Sequence, residues 1–303
     1  MKISFVWDWE PSFEQTITWK DGLAAALKEL ENRGHSVNRF TDTLYPIPHE
    51  YGPIVPIDEG VIKQSDVILH WGDMTRPHAL PHSQLGIPMA VCFAGGEVLG
   101  ENVGLFDHIF VESEVYKNVL EEKGYPVSIA FGANTDLFKP IQQEKVFDTI
   151  FPATFATWKR HDLYAKSTKG LKALACGYMY ETHEQECWQV CLDNGVVVLP
   201  HVSANVLRNL YAASKVCVIP SMSSGGSQRT VLEAMAMNVP VVVTDSDKFD
   251  YDGLIRVEPT IEAVREGIEK ALLSQTDTRD YILEKWSHIQ YANALEKGLE
   301  SIL

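Results

Sequence analysis

Two consecutive arrays of short apolar runs, each run followed by a helical pattern, constrain this 303-residue chain more than any other feature. The first array holds KISFVW, a helical stretch from about Thr18 to Asn32, His35 to Phe40, DVILHW, PMAVCF, HIFVES and PVSIAF, with helical segments such as SEVYKNVLEEKG between several of them. That alternation predicts a parallel sheet covered by helices. After Pro140 the pattern restarts with FDTIFPAT, a helix from about Asp162 to Leu174, GYMYE, a helix around His183 to Asp193, VVVLP, a helix near Asn205 to Ser214, KVCVIP, RTVLEAMAM and VPVVVTD.

Two arrays imply two Rossmann-like, doubly wound α/β domains. GANTDLFKPIQQEK joins them, because it sets a Gly, a Pro and polar residues between apolar strands. The expected domains are residues 1–140 and 141–285, with the site in a central crevice facing the strand carboxyl ends. ILEKWSHIQYANALEKGLESIL reads as a long amphipathic helix with a break near Trp286 to His288.

The chain is 45% apolar, enough for a sizeable core, yet no apolar run approaches the roughly 18 to 20 residues that span a bilayer. MKISFVWDWE reads as a first strand and not as a signal peptide. Five cysteines without a paired CxxC pattern suit buried thiols in a reducing compartment, so a soluble, cytoplasmic protein is expected. The net charge is −15, and residues 1–140 carry 20 acidic against 10 basic side chains. Such a surface repels phosphate backbones at long range, which makes nucleic acid an unlikely partner unless a local basic groove exists.

The sequence SMSSGGSQRTVLEAMAMNVPVVVTD places a glycine-rich loop between the strand KVCVIP and a helix. Backbone amides in such a loop can approach a ligand closely, and the first helical turn attracts anions, so a phosphate is expected there. An ordinary strand-to-helix turn is the alternative. Glu233 falls in the second turn among Val231, Leu232, Ala234 and Met235, where an unpartnered carboxylate is expensive to bury; it calls for hydroxyls or a cation, and a ribose diol beside a diphosphate would supply the hydroxyls.

The run IPSMSSGGSQRTVLEAMAMNVPVVVTD resembles the donor-binding motif of GT-B glycosyltransferases, specifically the retaining group called glycosyltransferase family 4. AFGANTDLFKP is similar to that family's inter-domain linker, HVSANVLRNLYAASKVCVIPS to its approach to the donor loop, RGHSV to the end of its first helix, and WSHIQYANALEKGL to the C-terminal helix that crosses back to the first domain. The resemblance implies a GT-B fold, residues 286–303 packed on the first domain, a nucleotide-diphosphate sugar as donor substrate, a hydroxyl-bearing acceptor and no cofactor. It implies that Glu233 binds ribose, while the family's other glutamate, which touches the transferred sugar, is replaced by Gly225. Gly225, Gly226, Ser227, Gln228, Arg229, Thr230 and His201 would line the donor pocket. Lys159 stands at the position of the family's diphosphate-gripping lysine, and the arginine that normally accompanies it is Thr154, with Arg160 or Arg229 as substitutes. The family has no reliable protein nucleophile, and its donor phosphate is thought to take the acceptor proton.

In the first half, a family histidine expected after PMAVCF is absent, its place held by Ala94 or a neighbouring glycine. Gly95 and Gly96 could let backbone approach the sugar. His70 and Asp73 in LHWGDM form a second candidate pair, with a satisfied core histidine as the plainer reading. Asp8, Trp9 and Glu10 offer an aromatic and acidic rim for a hydroxyl-rich or cationic acceptor. His183, Cys187 and Cys191 recur every four residues, too far apart along a helix axis to close one tetrahedral site, and no DxD-type motif stands out, so no metal is expected. The resulting expectation is a retaining, metal-independent glycosyltransferase. Its rivals are a DNA-modifying glycosyltransferase acting on hydroxylated bases and a sugar-nucleotide-binding protein without catalysis.

Overall fold

The computed structural model describes residues 1–7, 22–49, 51–72, 78–93, 103–179, 184–222, 228–244 and 250–303. It divides into two compact units, Met1–Asn134 with Trp286–Leu303, and Thr135–Lys285.

In the first unit the described elements run β1 (Lys2–Trp7), α1 (Gly22–Asn32), β2 (Ser36–Thr41), β3 (Ile54–Pro56), α2 (Glu59–Ile62), β4 (Val67–Gly72), α3 (Ala79–Ser83), β5 (Met89–Phe93), β6 (His108–Val111), α4 (Glu114–Glu121) and β7 (Val127–Ile129). All seven strands are parallel, in the order β3-β2-β1-β4-β5-β6-β7. Successive strand residues point to opposite faces, so Ile3, Phe5 and Trp7 join one core with Leu23, Leu27 and Leu30 of α1, while Val6, Ile68 and Val91 join another with Ile62, Ala79 and Leu120. Both faces are covered, which is why MAVCF is buried throughout.

The second unit runs β8 (Phe147–Pro152), α5 (His161–Ser167), β9 (Ala173–Cys176), α6 (Glu184–Asp193), β10 (Val197–Leu199), α7 (Ala204–Ala212), β11 (Ser214–Ile219), α8 (Gln228–Ala236), β12 (Val241–Thr244), β13 (Ile255–Val257), α9 (Ile261–Leu273) and α10 (Arg279–Lys285). Its six parallel strands are ordered β10-β9-β8-β11-β12-β13. In each sheet the chain first winds one way from β1 or β8 and then the other, leaving a switch point between β1 and β4 and between β8 and β11.

One strand stands where the sequence reading placed a helix. Ala173–Cys176 is β9, although the helical pattern ran to Leu174 and GYMYE was expected to be the strand. The helix stops at Ser167 and Gly170 takes φ +83 three residues before the sheet resumes. LKALAC is rich in strong helix formers, and its place in the sheet overrides that preference.

The break near Trp286 is present: α10 ends at Lys285, and Ser287 caps α11 (His288–Glu300) by accepting the Gln290 amide at 3.3 Å. Tyr291, Ala292, Leu295 and Leu299 of α11 complete the core of the first unit beside α1. Glu296 adds an ion pair to Arg33 at 2.7 Å and a hydrogen bond with His35 at 2.6 Å. Gly298 allows the close approach, since a Cβ there would lie 2.4 Å from the Phe110 ring. Leu295, fully buried, is therefore expected to cost about 3 kcal/mol when replaced by alanine, read as a shift of the first unit's urea transition; a loss under about 1 kcal/mol would mean that α11 is peripheral.

Candidate functional site

The loops after β8 and β11 meet where the second sheet switches direction. After β8, Phe155 and Ala156 are buried, Thr157–Lys159 form one 3-10 turn, and Arg160 adopts the left-handed conformation at φ 61° before α5 begins. This tight reversal leaves Lys159 only 7% exposed. A lysine on a solvated helix start would be largely exposed; this ammonium is held inside the protein. Arg160 instead lies against Asp162, at 3.6 Å, on the surface.

His161 follows, sandwiched between Phe151 and Phe155 at centroid distances of 4.6 and 4.5 Å. Burial pushes its pKa down from 6.5 to about 3, and the Lys159 charge adds to the shift. His161 is thus neutral. Because the unfolded chain takes up a proton below pH 6.5 and the folded one only near pH 3, stability falls as pH drops through that window, by up to about 1.4 kcal/mol per pH unit. His161→Phe is expected to flatten that part of the slope in urea titrations between pH 6.5 and 4; an unchanged slope would contradict the neutral, buried assignment.

After β11, Ser221 is buried, its carbonyl accepts the Thr244 hydroxyl at 2.9 Å, and the Met222 amide donates to the Trp158 carbonyl at 2.9 Å. These bonds tie the start of the glycine-rich segment to the end of β12 and to the Lys159 turn. On α8, Glu233 is 4% exposed and flanked by fully or almost fully buried Val231, Leu232, Ala234 and Met235. Tyr211 of α7 points its hydroxyl at Glu233 Oε2 (3.2 Å) and the Thr230 carbonyl (3.1 Å), sharing one proton between two acceptors. Arg229 Nε lies 3.8 Å from Glu233 Oε1. Burial, then the Glu233 charge, holds the Tyr211 phenol well above its ordinary pKa, so it remains a donor. Burial, with Glu233 nearby, also pushes the Cys176 thiol up to about 12.

After β10, the His201 ring stacks on Tyr178, which follows β9, at 3.7 Å and 11°. Burial and then Arg229 lower the His201 pKa to about 4, so this ring is neutral too. The carboxyl ends of β8, β9, β10 and β11 thus present a buried cation, a flat neutral stack, and a helix carrying a buried carboxylate. Such a set can hold an anion between Lys159 and the first turn of α8, and a vicinal diol at Glu233.

Among the sequence candidates, the structure brings Arg229, Thr230 and Glu233 together on α8, with Gln228 as its first residue, and sets Lys159 on the loop after the neighbouring strand. Gly225, Gly226, Ser227, Asp8, Trp9, Glu10, Asp73, Gly95 and Gly96 lie outside the described residues. His70 is in the first unit, fully buried, with His82 Nδ1 at 3.2 Å from its Nε2. Tyr211, Tyr178 and His161 were not singled out from sequence, although Tyr211 ends the LRNLY run. Among the described residues no three His, Cys, Asp or Glu side chains could hold a metal ion together, and no helix is long and apolar enough to cross a membrane.

Residues 156–275 match the family described as Glycosyl transferases group 1. No curated protein sequence matches the chain significantly. Solved structures of similar fold include Anabaena Alr3699/HepE in complex with UDP and glucose (12% identity, 99% of this chain and 100% of that chain, TM-score 0.76). Others are sucrose-phosphate synthase from Thermosynechococcus elongatus (13%, 99% and 98%, 0.72) and a glycosyltransferase from Rickettsia africae ESF-5 (14%, 99% and 98%, 0.72). At this identity the likeness establishes the fold, GT-B, with its two parallel-sheet α/β units.

Proposed function

We propose that this chain, whose residues 156–275 match the family described as Glycosyl transferases group 1, moves a sugar from a nucleoside-diphosphate sugar to a hydroxyl-bearing acceptor. The observation that carries the reading is a buried cation and a buried carboxylate on the two loops that flank one switch point, Lys159 after β8 and Glu233 on the helix after β11.

Each residue then has a task. Departure of the nucleoside diphosphate concentrates negative charge on its phosphate oxygens. Lys159 and the first-turn amides of α8, at Gln228, Arg229 and Thr230, offset that charge in a water-poor setting where fixed charges count most. Gly225, Gly226 and Ser227, which precede α8 in the sequence, are assigned to the same phosphates. Glu233 accepts both ribose hydroxyls, with Tyr211 fixing one carboxylate oxygen and Arg229 beside the other. The neutral His201 and Tyr178 stack offers a flat wall beside the nucleotide. No metal or cofactor is required by this arrangement. Retention of configuration, with the donor phosphate taking the acceptor proton, is what the sequence resemblance to glycosyltransferase family 4 implies.

A second reading is favoured by one position: Gly225 stands where the family carries the glutamate that touches the transferred sugar, which fits a donor-binding protein without turnover. Thermal shifts with UDP-, GDP-, ADP- and TDP-sugars, followed by assay of nucleoside diphosphate release over an acceptor panel, separate the readings. One nucleotide series is expected to stabilise the protein, by about 2.7 kcal/mol at a hundred times its Kd, and to be turned over. Stabilisation without turnover supports the binding protein; no shift with any series overturns both.

A further inference from the structure

Arg279, the first residue of α10, holds three backbone carbonyls from two distant stretches of the chain. Its Nη1 donates to the Phe138 and Ala236 carbonyls at 2.8 Å each, and its Nη2 to the Thr135 carbonyl at 3.0 Å. Ala236 is the last residue of α8, the helix that carries Glu233. Thr135 and Phe138 belong to the joining segment, which starts directly after Asn134, where the first unit breaks off.

Neighbouring side chains complete this clasp. The Thr278 hydroxyl donates to the Met235 carbonyl at 2.8 Å, and the Arg279 amide donates to Asn238 Oδ1 at 2.8 Å, with Asn238 left-handed at φ 55° just past the helix. Carbonyls that the end of α8 leaves open are thus taken by Thr278 and Arg279. A guanidinium is planar and rigid, so bonding both segments through it fixes the joining segment against α8.

The joining segment reaches Glu233 by a second route. The Phe138 ring, 1% exposed, stands edge-on to the Tyr211 ring at 6.0 Å and 78°. Tyr211 is fully buried, and its hydroxyl holds Glu233 Oε2. Residues 135–138 therefore anchor, through Arg279, the helix that carries the carboxylate, and support, through Phe138, the phenol that aims it. A polar group at a binding site works only when its supports hold it to within about 0.5 Å. We infer that Arg279 and Phe138 are positioning residues for Glu233, which makes the joining segment a working part of the ribose site. The inference rests on the reading of Glu233 as the carboxylate that takes the ribose hydroxyls; Arg279 and Phe138 act through the groups that hold it.

The test is isothermal titration of the whole chain with UDP, GDP, ADP and TDP, and with inorganic diphosphate, which has no ribose. Arg279→Met and Phe138→Leu are each expected to weaken the best-binding nucleotide about tenfold while inorganic diphosphate stays within about twofold of the wild type. In a Glu233→Gln background, neither substitution is expected to weaken that nucleotide by more than about a further twofold, because the carboxylate they position is already absent. Losses that add to that of Glu233→Gln, equal weakening of both ligands, or no weakening at all would make Arg279 and Phe138 ordinary structural residues and overturn the inference, with the donor site left standing. Failure of all four nucleotides to bind the wild type would remove the donor site and the inference with it. Phe138→Leu, which keeps an apolar side chain in place, decides alone if Arg279→Met fails to fold.

Discussion

Replacing Lys159 with alanine is expected to lower the rate of sugar transfer by about 10²- to 10³-fold at saturating donor, while donor affinity falls far less. The asymmetry follows from when the charge appears. In the bound donor the diphosphate charge is partly shared with the sugar carbon; it is fully developed only as the glycosidic bond breaks, so a fixed ammonium stabilises the transition state more than the ground state. Burial magnifies this, because Lys159 at 7% exposure acts through protein and not through water. Arg160 cannot take over, since its left-handed backbone sends it outward to Asp162. Nucleoside diphosphate release, measured beside a circular dichroism control for folding, reads the effect. A loss below about fivefold would remove Lys159 from the leaving-group site.

Glu233→Gln is expected to weaken nucleoside-diphosphate binding by about 10- to 100-fold, the loss corresponding to a charge-assisted hydrogen bond of roughly 1.5–3 kcal/mol. Inorganic diphosphate, which has no ribose, should bind the variant within about twofold of the wild type. That contrast separates two roles. A carboxylate present only to satisfy Tyr211 would, when neutralised, alter stability and affect both ligands alike. Tyr211→Phe supplies the complementary reading, since it removes one hydrogen bond to Oε2 and leaves the carboxylate in place. Isothermal titration of both ligands against both variants gives the comparison.

The α/β organisation was readable because parallel strands covered on both faces carry uninterrupted apolar runs; MAVCF and VVVT are buried from end to end. The strands left unread are short or disguised. Ile54–Pro56 and Ile255–Val257 span three residues each at sheet edges, too few to show a period, and Ala173–Cys176 is composed of helix-favouring residues. Within the site, the burial of Glu233 followed from its apolar neighbours in sequence, but its partner did not. Tyr211 stands 22 residues earlier on another helix, and only the parallel crossover through β11 brings the two together. Nor does the sequence show that a left-handed Arg160 turns Lys159 inward, or that His201 lies flat on Tyr178. Such details depend on loop geometry, which residue type alone constrains weakly.

A crystal structure of the protein with the nucleoside diphosphate that gives the largest thermal shift tests the donor site most directly. The expected result places the ribose diol within hydrogen-bond distance of Glu233 and the diphosphate between Lys159 Nζ and the first-turn amides of α8. A nucleotide bound elsewhere, or seated at the loop with its ribose turned away from Glu233 and its phosphates remote from Lys159, would contradict it.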